Sequence, residues 1–400
     1  MGKLLIVTAR TGAGHDSVAR TLQEAVHDVG GGRVRTEVID LLAGGQASWI
    51  GRLSRLYGPL IVHHPRAWGL VYGLSNSERF WRGLRGLAGK AWRDMVAKTL
   101  LVHAPDLILC THPLCNQVVA EGWLRSKNPP PFVAVVTELN EAHAAWAAPE
   151  ATLHVAATEE VRGSLLARGI DPLRVRTLGL PIAPRFFAPG DRRRARRALG
   201  LDEEGYAIML AGGGEGAGPI ATTANAIAAE GLPVQLIIAC GRNGALRRYL
   251  IRHPPSVPHR VLPFHDNMPQ VVEAADVVVG KAGALTLGEA VAASKPIIML
   301  RPLPGQERGN ADFARRHGVG LEVSGQAELV AILQKWLADP CAMSAHAANG
   351  NALRDHWLHA ASRIATAALA ILKGGKHDLC VPAQRSSPAQ AKREEHRWAR

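Results

Sequence analysis

Aromatic residues make up only 5% of the 400-residue chain, and no zinc-finger, RNA-recognition or basic-zipper signature occurs in it. Base-stacking platforms and groove-reading helices are therefore not in view, and nucleic acid is the weakest of the anionic partners that a net charge of +13 would favour. Cysteine is scarce too. Cys110, Cys115, Cys240, Cys341 and Cys380 are odd in number and scattered, with no C-x-x-C pair, which argues against a disulfide framework or a structural zinc site. There is no uncharged apolar run of about 18 residues, and Leu4–Val7 is too short for a signal-peptide core. The expectation is a protein of a reducing compartment, cytoplasmic and either soluble or peripheral on the inner face of the cell membrane.

What is abundant is glycine (41) and proline (25), placed between apolar runs in a chain that is 47% hydrophobic. That is the pattern of turns ending strands and opening helices, and the length suits two cores. Leu4–Val7 reads as a buried strand, Val18, Leu22, Val26 and Val29 recur at helical spacing, and Val34, Thr36 and Val38 alternate toward Asp40. Such strand–helix–strand units build parallel sheets. Further strands are expected at 107–109, 132–136, 153–156 and 175–178, and beyond a Pro- and Arg-rich linker at 207–210, 234–239, 260–263, 277–279 and 296–300. Residues 47–100 break the rhythm: Trp49, Trp68, Trp81 and Trp92 stand among Arg52, Arg55, Arg66, Arg79, Arg82, Arg85, Lys90, Arg93 and Lys98, with only Glu78 and Asp94 opposed. Two readings are open for this segment, a membrane-interface insertion and a helical cover for the domain's own core. Leu353, Trp357, Ala360, Ile364, Ala367 and Ile371 share one face of a single long helix, and the basic tail beyond it lacks periodicity and is expected to be disordered.

Ligands in open parallel sheets bind outside the carboxyl ends of the strands, so the turns there carry the chemistry. Gly212 to Gly218, with Gly213, Gly214 and Glu215, follows one strand and precedes a helix, where free N–H groups and the helix dipole suit phosphate. A second turn, Lys281-Ala282-Gly283, is followed by Thr286 and by Glu289, a carboxylate able to accept both hydroxyls of a ribose. A third loop supplies Gln306, Glu307 and Asn310, a mixture of donors and acceptors that fits sugar hydroxyls. In the first half, Gly14 and His15 lie in another glycine turn, and a helix start disfavours protonation of the imidazole, leaving it ready to take a proton. A nicotinamide dinucleotide reading using Asp40 is the competing possibility for that turn.

With Gly212-Gly213-Gly214-Glu215-Gly216-Ala217-Gly218-Pro219-Ile220, Lys281-Ala282-Gly283, Pro304-Gly305-Gln306-Glu307, Gly309-Asn310, Gly12-Ala13-Gly14-His15, His112-Pro113-Leu114 and Thr137-Glu138-Leu139 in place, the chain resembles the monogalactosyldiacylglycerol synthases and the related diacylglycerol glucosyltransferases over most of residues 4–323. The resemblance implies an α/β glycosyltransferase of type B: two Rossmann-like domains, residues 1–183 for a lipid acceptor and 184–373 for a UDP-sugar, with 374–400 as tail. It also implies inverting transfer without a metal ion or other cofactor. Carried over, Lys281 to Thr286 would face the diphosphate, Glu289 the ribose, Gln306 and Glu307 the sugar, and Phe264 to Met268 the uracil. His15 or Glu138 would be the base, while Gly14, His143 and Trp146 would meet the acceptor. The chain departs from the family at Ala284-Leu285, where Pro-Gly is usual, and at Glu138, where aspartate is usual. An epimerase, a transferase to a non-lipid acceptor, and a silent membrane-docking sensor of nucleotide sugars are the alternatives. Oligomeric state is not legible.

Overall fold

The structure is a computed structural model that describes residues 2–9, 13–42, 60–61, 63–123, 128–188 and 190–374, without the side chain of Gln306. The tail from residue 375 onward, Gly12 and Trp49 lie outside the described residues.

The first half alternates β1 (Lys3–Thr8), α1 (Ala13–Gly30), β2 (Arg35–Asp40), α2 (Pro65–Ser75), α3 (Glu78–His103), β3 (Leu107–Cys110), α4 (Pro113–Trp123), β4 (Phe132–Val135), β5 (Leu153–Ala156), α5 (Glu159–Ala167) and β6 (Val175–Thr177). The strands form one sheet in the order β2-β1-β3-β4-β5-β6, every pairing parallel. Helices cover both faces, so the residues of β1 after Lys3 are all buried: Leu4 and Ile6 enter one core, Leu5 and Val7 the other.

The second half holds α6 (Arg192–Ala198), β7 (Tyr206–Ala211), α7 (Ile220–Ala229), β8 (Val234–Ala239), α8 (Gly244–Arg252), β9 (His259–Leu262), α9 (Met268–Ala274), β10 (Val277–Gly280), α10 (Ala284–Ala292), β11 (Ile297–Met299), α11 (Gln306–Arg316), β12 (Gly320–Glu322), α12 (Gln326–Ala338), α13 (Pro340–Ala348), α14 (Asn351–Leu358) and α15 (Ala360–Leu372). Its sheet runs β12-β11-β10-β7-β8-β9, again all parallel. The expected strands are found. β12 is additional, three residues with only Leu321 apolar and so without a readable period.

Each sheet reverses its strand order once, between β1 and β3 in the first and between β7 and β10 in the second. Crevices open at the carboxyl ends of such pairs.

In the inserted segment, α3 starts on the Ser77 hydroxyl, which accepts the Phe80 N–H at 3.2 Å. Its Trp81, Ala88, Trp92 and Val96 are buried on one stripe against the first sheet's cover. Two of the tryptophans suggested for a membrane interface are thus core residues. The surface apolar groups are instead Leu70, Val71 and Leu74 on α2 and Phe80, Leu87, Leu101 and Val102 on α3.

The single terminal helix read from the sequence is two. α14 ends at Leu358 with Trp357 fully buried in the second domain's core, its indole N–H donating to the Ala157 carbonyl at 3.3 Å. After a turn at His359, α15 crosses to the first domain and packs Ala361, Ile364, Ala365 and Ala368 into the core shared with α1. Small side chains on that face let the two helices approach closely, and they tie the chain's end to the domain it started from.

Candidate active site

The turns after β1, β4, β7 and β10 meet across one cleft of about 250 Å³ between the sheets. On the first-domain wall stand Gly14, His15, Thr137 and Glu138; opposite lie Gly213, Gly214, Glu215, Phe264, Met268, Lys281, Gly283, Thr286, Glu289, Glu307 and Asn310. Both switch points therefore open onto the same space.

His15 sits in the first turn of α1, and its Nδ1–H donates to the Thr111 carbonyl, just past β3, at 2.7 Å. The bond spans the β1/β3 crevice and fixes the tautomer, leaving Nε2 with its lone pair. Burial lowers the pKa to about 4 against the opposing effect of the Thr111 carbonyl. The ring of His112 meets it edge-on at 4.6 Å, and burial and the neighbouring His15 also hold His112 well below the usual range. The result is a neutral imidazole with one acceptor nitrogen.

Glu138 is buried and accepts the His143 backbone N–H through Oε2 at 2.7 Å. Burial pushes its carboxyl up to about 7, with that N–H pulling the other way. Glu138 also lines a second, smaller cavity of about 60 Å³ together with Tyr72, Asn76, His143, Gly305 and Asn310. His143 does not reach the main cleft. Its Nδ1 accepts the Ala145 N–H at 3.2 Å, and Nε2 lies 3.3 Å from the Tyr72 carbonyl and 3.2 Å from the Ser75 hydroxyl, so it fastens α2 to the first domain.

Trp146, expected to touch a lipid, is a correction. It is fully buried in a satellite core with Val136, Ala142, Ala156, Val161 and Leu165, and it lines neither cavity. Burying so large a ring beneath the sheet stabilises the short turn that carries it, which is the commoner use of tryptophan.

On the second-domain wall, Gly280 needs to lack a side chain because a Cβ there would strike the Ala211 carbonyl of the neighbouring strand. Gly213 has φ +67, and a Cβ on it would lie 2.5 Å from Lys281 Cε. The Lys281 ammonium pairs with Glu307 Oε1 at 2.5 Å, and Glu307 Oε2 accepts the Leu303 N–H at 3.0 Å. Glu307, read from the sequence as a sugar contact, thus spends both oxygens inside the protein. Asn310 donates to the Ala282 carbonyl at 3.0 Å, so it braces the Lys281–Gly283 turn, while the Ala282 methyl is buried in the core and faces no cleft. Glu289 stands on α10 facing the cleft; desolvation pushes its carboxyl up to about 8, partly opposed by Arg185. Gln306 opens α11, but its side chain lies outside the described part.

Several cleft residues escape sequence reasoning. Arg242 donates to Glu215 at 3.0 Å and lies over the Phe264 ring at 4.6 Å, making a flat cationic wall beside Met268. Arg185 reaches the cleft from the linker, and Arg20 from α1. Neither sits in a glycine turn, the signal that found the rest. Among the described residues no group of three or more His, Cys, Asp or Glu is arranged to hold a metal ion, and no helix is long and apolar enough to cross a membrane.

Two parallel six-stranded sheets whose switch points share one cleft define a type B glycosyltransferase fold. Solved structures agree. Acinetobacter baumannii MurG superposes with a TM-score of 0.57 at 16% identity, covering 92% of this chain and 99% of that one. UDP-GlcNAc 2-epimerase from Neisseria meningitidis, bound to UDP-GlcNAc, gives 0.57 at 14% identity over 92% and 99%. At sequence level, the monogalactosyldiacylglycerol (MGDG) synthase model matches residues 15–182, and the glycosyltransferase family 28 C-terminal domain model matches 207–356. The chain belongs to the monogalactosyldiacylglycerol synthase family. A probable monogalactosyldiacylglycerol synthase of Glycine max, named chloroplastic, is 32% identical over 363 residues, spanning 88% of this chain and 68% of that protein. A second, also named chloroplastic, from Oryza sativa subsp. indica is 32% identical over 346 residues, spanning 83% and 73%.

Proposed function

We propose that the protein transfers a hexose from a UDP-sugar to a hydroxyl of a lipid acceptor, diacylglycerol, with inversion. The observation that carries the reading is the shared cleft, with a neutral His15 on one wall and, on the other, the glycine turn Gly213–Glu215 and the glycine-rich helix start Lys281–Thr286. The names of the relatives support the galactolipid chemistry, and the UDP-sugar held by the epimerase neighbour supports the donor class.

In this reading the diphosphate lies on the N–H groups of the two turns with Lys281 offsetting its charge, and no metal ion takes part. Glu289 accepts ribose hydroxyls, while Phe264 and Met268 flank the base. The acceptor oxygen attacks the anomeric carbon, the bond from that carbon to the β-phosphate oxygen breaks with its electron pair going to UDP, and His15 Nε2 takes the acceptor proton. Glu138, when ionised, sits on the same wall and favours the imidazolium that forms. Acceptors reach the site from a membrane surface, on which the exposed leucines of α2 and the basic face of α3 rest; the protein is peripheral there.

Radiolabelled UDP-galactose or UDP-glucose incubated with diacylglycerol vesicles tests this directly. Lipid-soluble label is the expected product. Release of an altered free sugar would replace the reading with epimerisation, and UDP binding without turnover would replace it with a sensor.

A further inference from the structure

Leu285, which stands where the family usually has the glycine of Pro-Gly, is the second residue of α10 and itself lines the cleft between Gly283 and Thr286 on the wall assigned to the donor. Its side chain is half-buried and packs against two separate cores, that of the second domain and the one α1 shares with the first sheet. It also reaches the start of α1: a Cβ on Gly14 would lie 3.6 Å from Leu285 Cγ and 3.7 Å from Cδ2, ordinary contact distances. The other donor turn closes on the preceding residue, since a Cβ on Gly214 would strike Ala13. The helix start that carries His15 is therefore held between the two turns assigned to the donor, with Leu285 filling the gap on one side.

We infer that Leu285 is a positioning residue: it sets the spacing between His15 and the phosphate-binding turn and keeps water out of the gap between them. This rests on the UDP-sugar reading above. An aliphatic side chain wedged between two helix starts transmits position because packed interiors resist small displacements, and reacting atoms misplaced by about 1 Å can lose about a hundredfold in rate. Without the wedge the walls are free to separate, and water can replace the acceptor. Its oxygen would bond to the anomeric carbon, the bond to UDP would break with its electrons leaving on the phosphate, and His15 would take the water proton, giving free sugar and UDP.

The test compares wild type, Leu285→Met and Leu285→Ala for UDP affinity by calorimetry, kcat and KM for transfer, and the ratio of free sugar to glycolipid. Leu285→Ala is expected to bind UDP within about twofold of wild type, to lose about tenfold or more in kcat, and to raise the free-sugar share severalfold, with Leu285→Met restoring both. Leu285→Val carries the same readout in a smaller step should the alanine variant fail to fold. Unchanged kcat and product ratio in the truncated variants would overturn the inference, as would a kcat loss matched by an equal loss of UDP affinity. Absence of UDP binding by the wild-type chain would instead overturn the donor reading.

Discussion

The Lys281 ammonium and the Glu307 carboxylate meet at 2.5 Å on the cleft floor, the lysine side chain 21% exposed and the glutamate 3%. Glu307 is held further by the Leu303 N–H, so the pair fixes the lysine at the head of the glycine turn instead of leaving it to swing. Lys281→Met leaves a buried carboxylate without its partner, which costs about 3 kcal/mol. If Lys281 offsets the diphosphate charge as proposed, the change also lowers UDP affinity about tenfold or more. Lys281→Met/Glu307→Gln should regain most of the stability and none of the affinity. Thermal midpoints with and without UDP distinguish the two effects; if the double variant recovered UDP affinity, Lys281 would be structural only.

His15 is oriented by a main-chain carbonyl, which makes two substitutions informative together. His15→Ala removes the imidazole that the Thr111 carbonyl holds on the first-domain wall of the cleft, and transfer should fall about 10²- to 10⁴-fold while UDP affinity holds. Thr111→Ala keeps the carbonyl and should leave the rate within about twofold of wild type. Initial rates of glycolipid formation at saturating donor check both. Equal damage from the two would move the importance from the imidazole to the local packing.

Between His15 and Glu138, the pH profile decides. Burial pushes the Glu138 carboxyl up to about 7 and the His15 imidazole down to about 4. If His15 is the base and an ionised Glu138 assists it, kcat/KM rises as pH passes through about 7, and Glu138→Gln erases that limb while leaving a lower, flatter rate. Survival of the limb in Glu138→Gln would remove Glu138 from the reaction.

Much of this site was legible because glycine turns at strand ends leave a local sequence trace. Gly213, Lys281 and His15 are picked out that way, whereas the alternation of strands and helices implies parallel sheets without the strand order that brings these three to one cleft. What stayed hidden depends on tertiary partners. Nothing in Glu307's neighbourhood along the chain tells that Lys281, 26 residues away, will occupy it. Trp146 looks like an acceptor contact until β5 and α5 close over it. Arg185 lies in a linker whose proline and arginine content hides its approach to the cleft. The turn of the chain at His359, which sends α15 back to the first domain, is invisible to a helical period that continues across it.

Glu289 gives a stability signature. Its folded pKa, about 8, is raised above the ordinary value of 4.5, so the native state holds a proton that the unfolded chain releases earlier. The favourable contribution is complete below about pH 4.5 and is lost as pH rises through 8. Glu289→Gln should therefore match wild type near pH 5 and be the more stable of the two at pH 9, with the difference growing in between. Urea titrations at a series of pH values give the comparison, and a difference independent of pH would show that the carboxyl ionises freely in the cleft.

On α2, Leu70 and Leu74, each 71% exposed, are one helical turn apart and share a face, while the same helix turns Gly69 and Tyr72 to a loop of the second domain, where Cβ atoms on Gly69 and Gly305 would press on Pro304 and the Tyr72 ring. One side of the helix is thus held by His143 of the first domain and by Pro304 and Gly305 of the second, and the other presents Leu70 and Leu74 to solvent. Exposed Arg66, Arg79, Arg82, Lys90 and Lys98 on α2 and α3 suit an anionic lipid surface, and each leucine inserted adds about 1.5–3 kcal/mol. Leu70→Asp/Leu74→Asp should reduce flotation with anionic vesicles by about tenfold or more and leave turnover of a detergent-dispersed acceptor near wild type. Raising salt should weaken vesicle binding of the wild-type chain, because the basic residues act through screened charges. If flotation were unaffected by the double substitution, α2 would not be the docking face; if turnover in detergent fell with it, the helix would be acting through its grip on Pro304 and Gly305 instead.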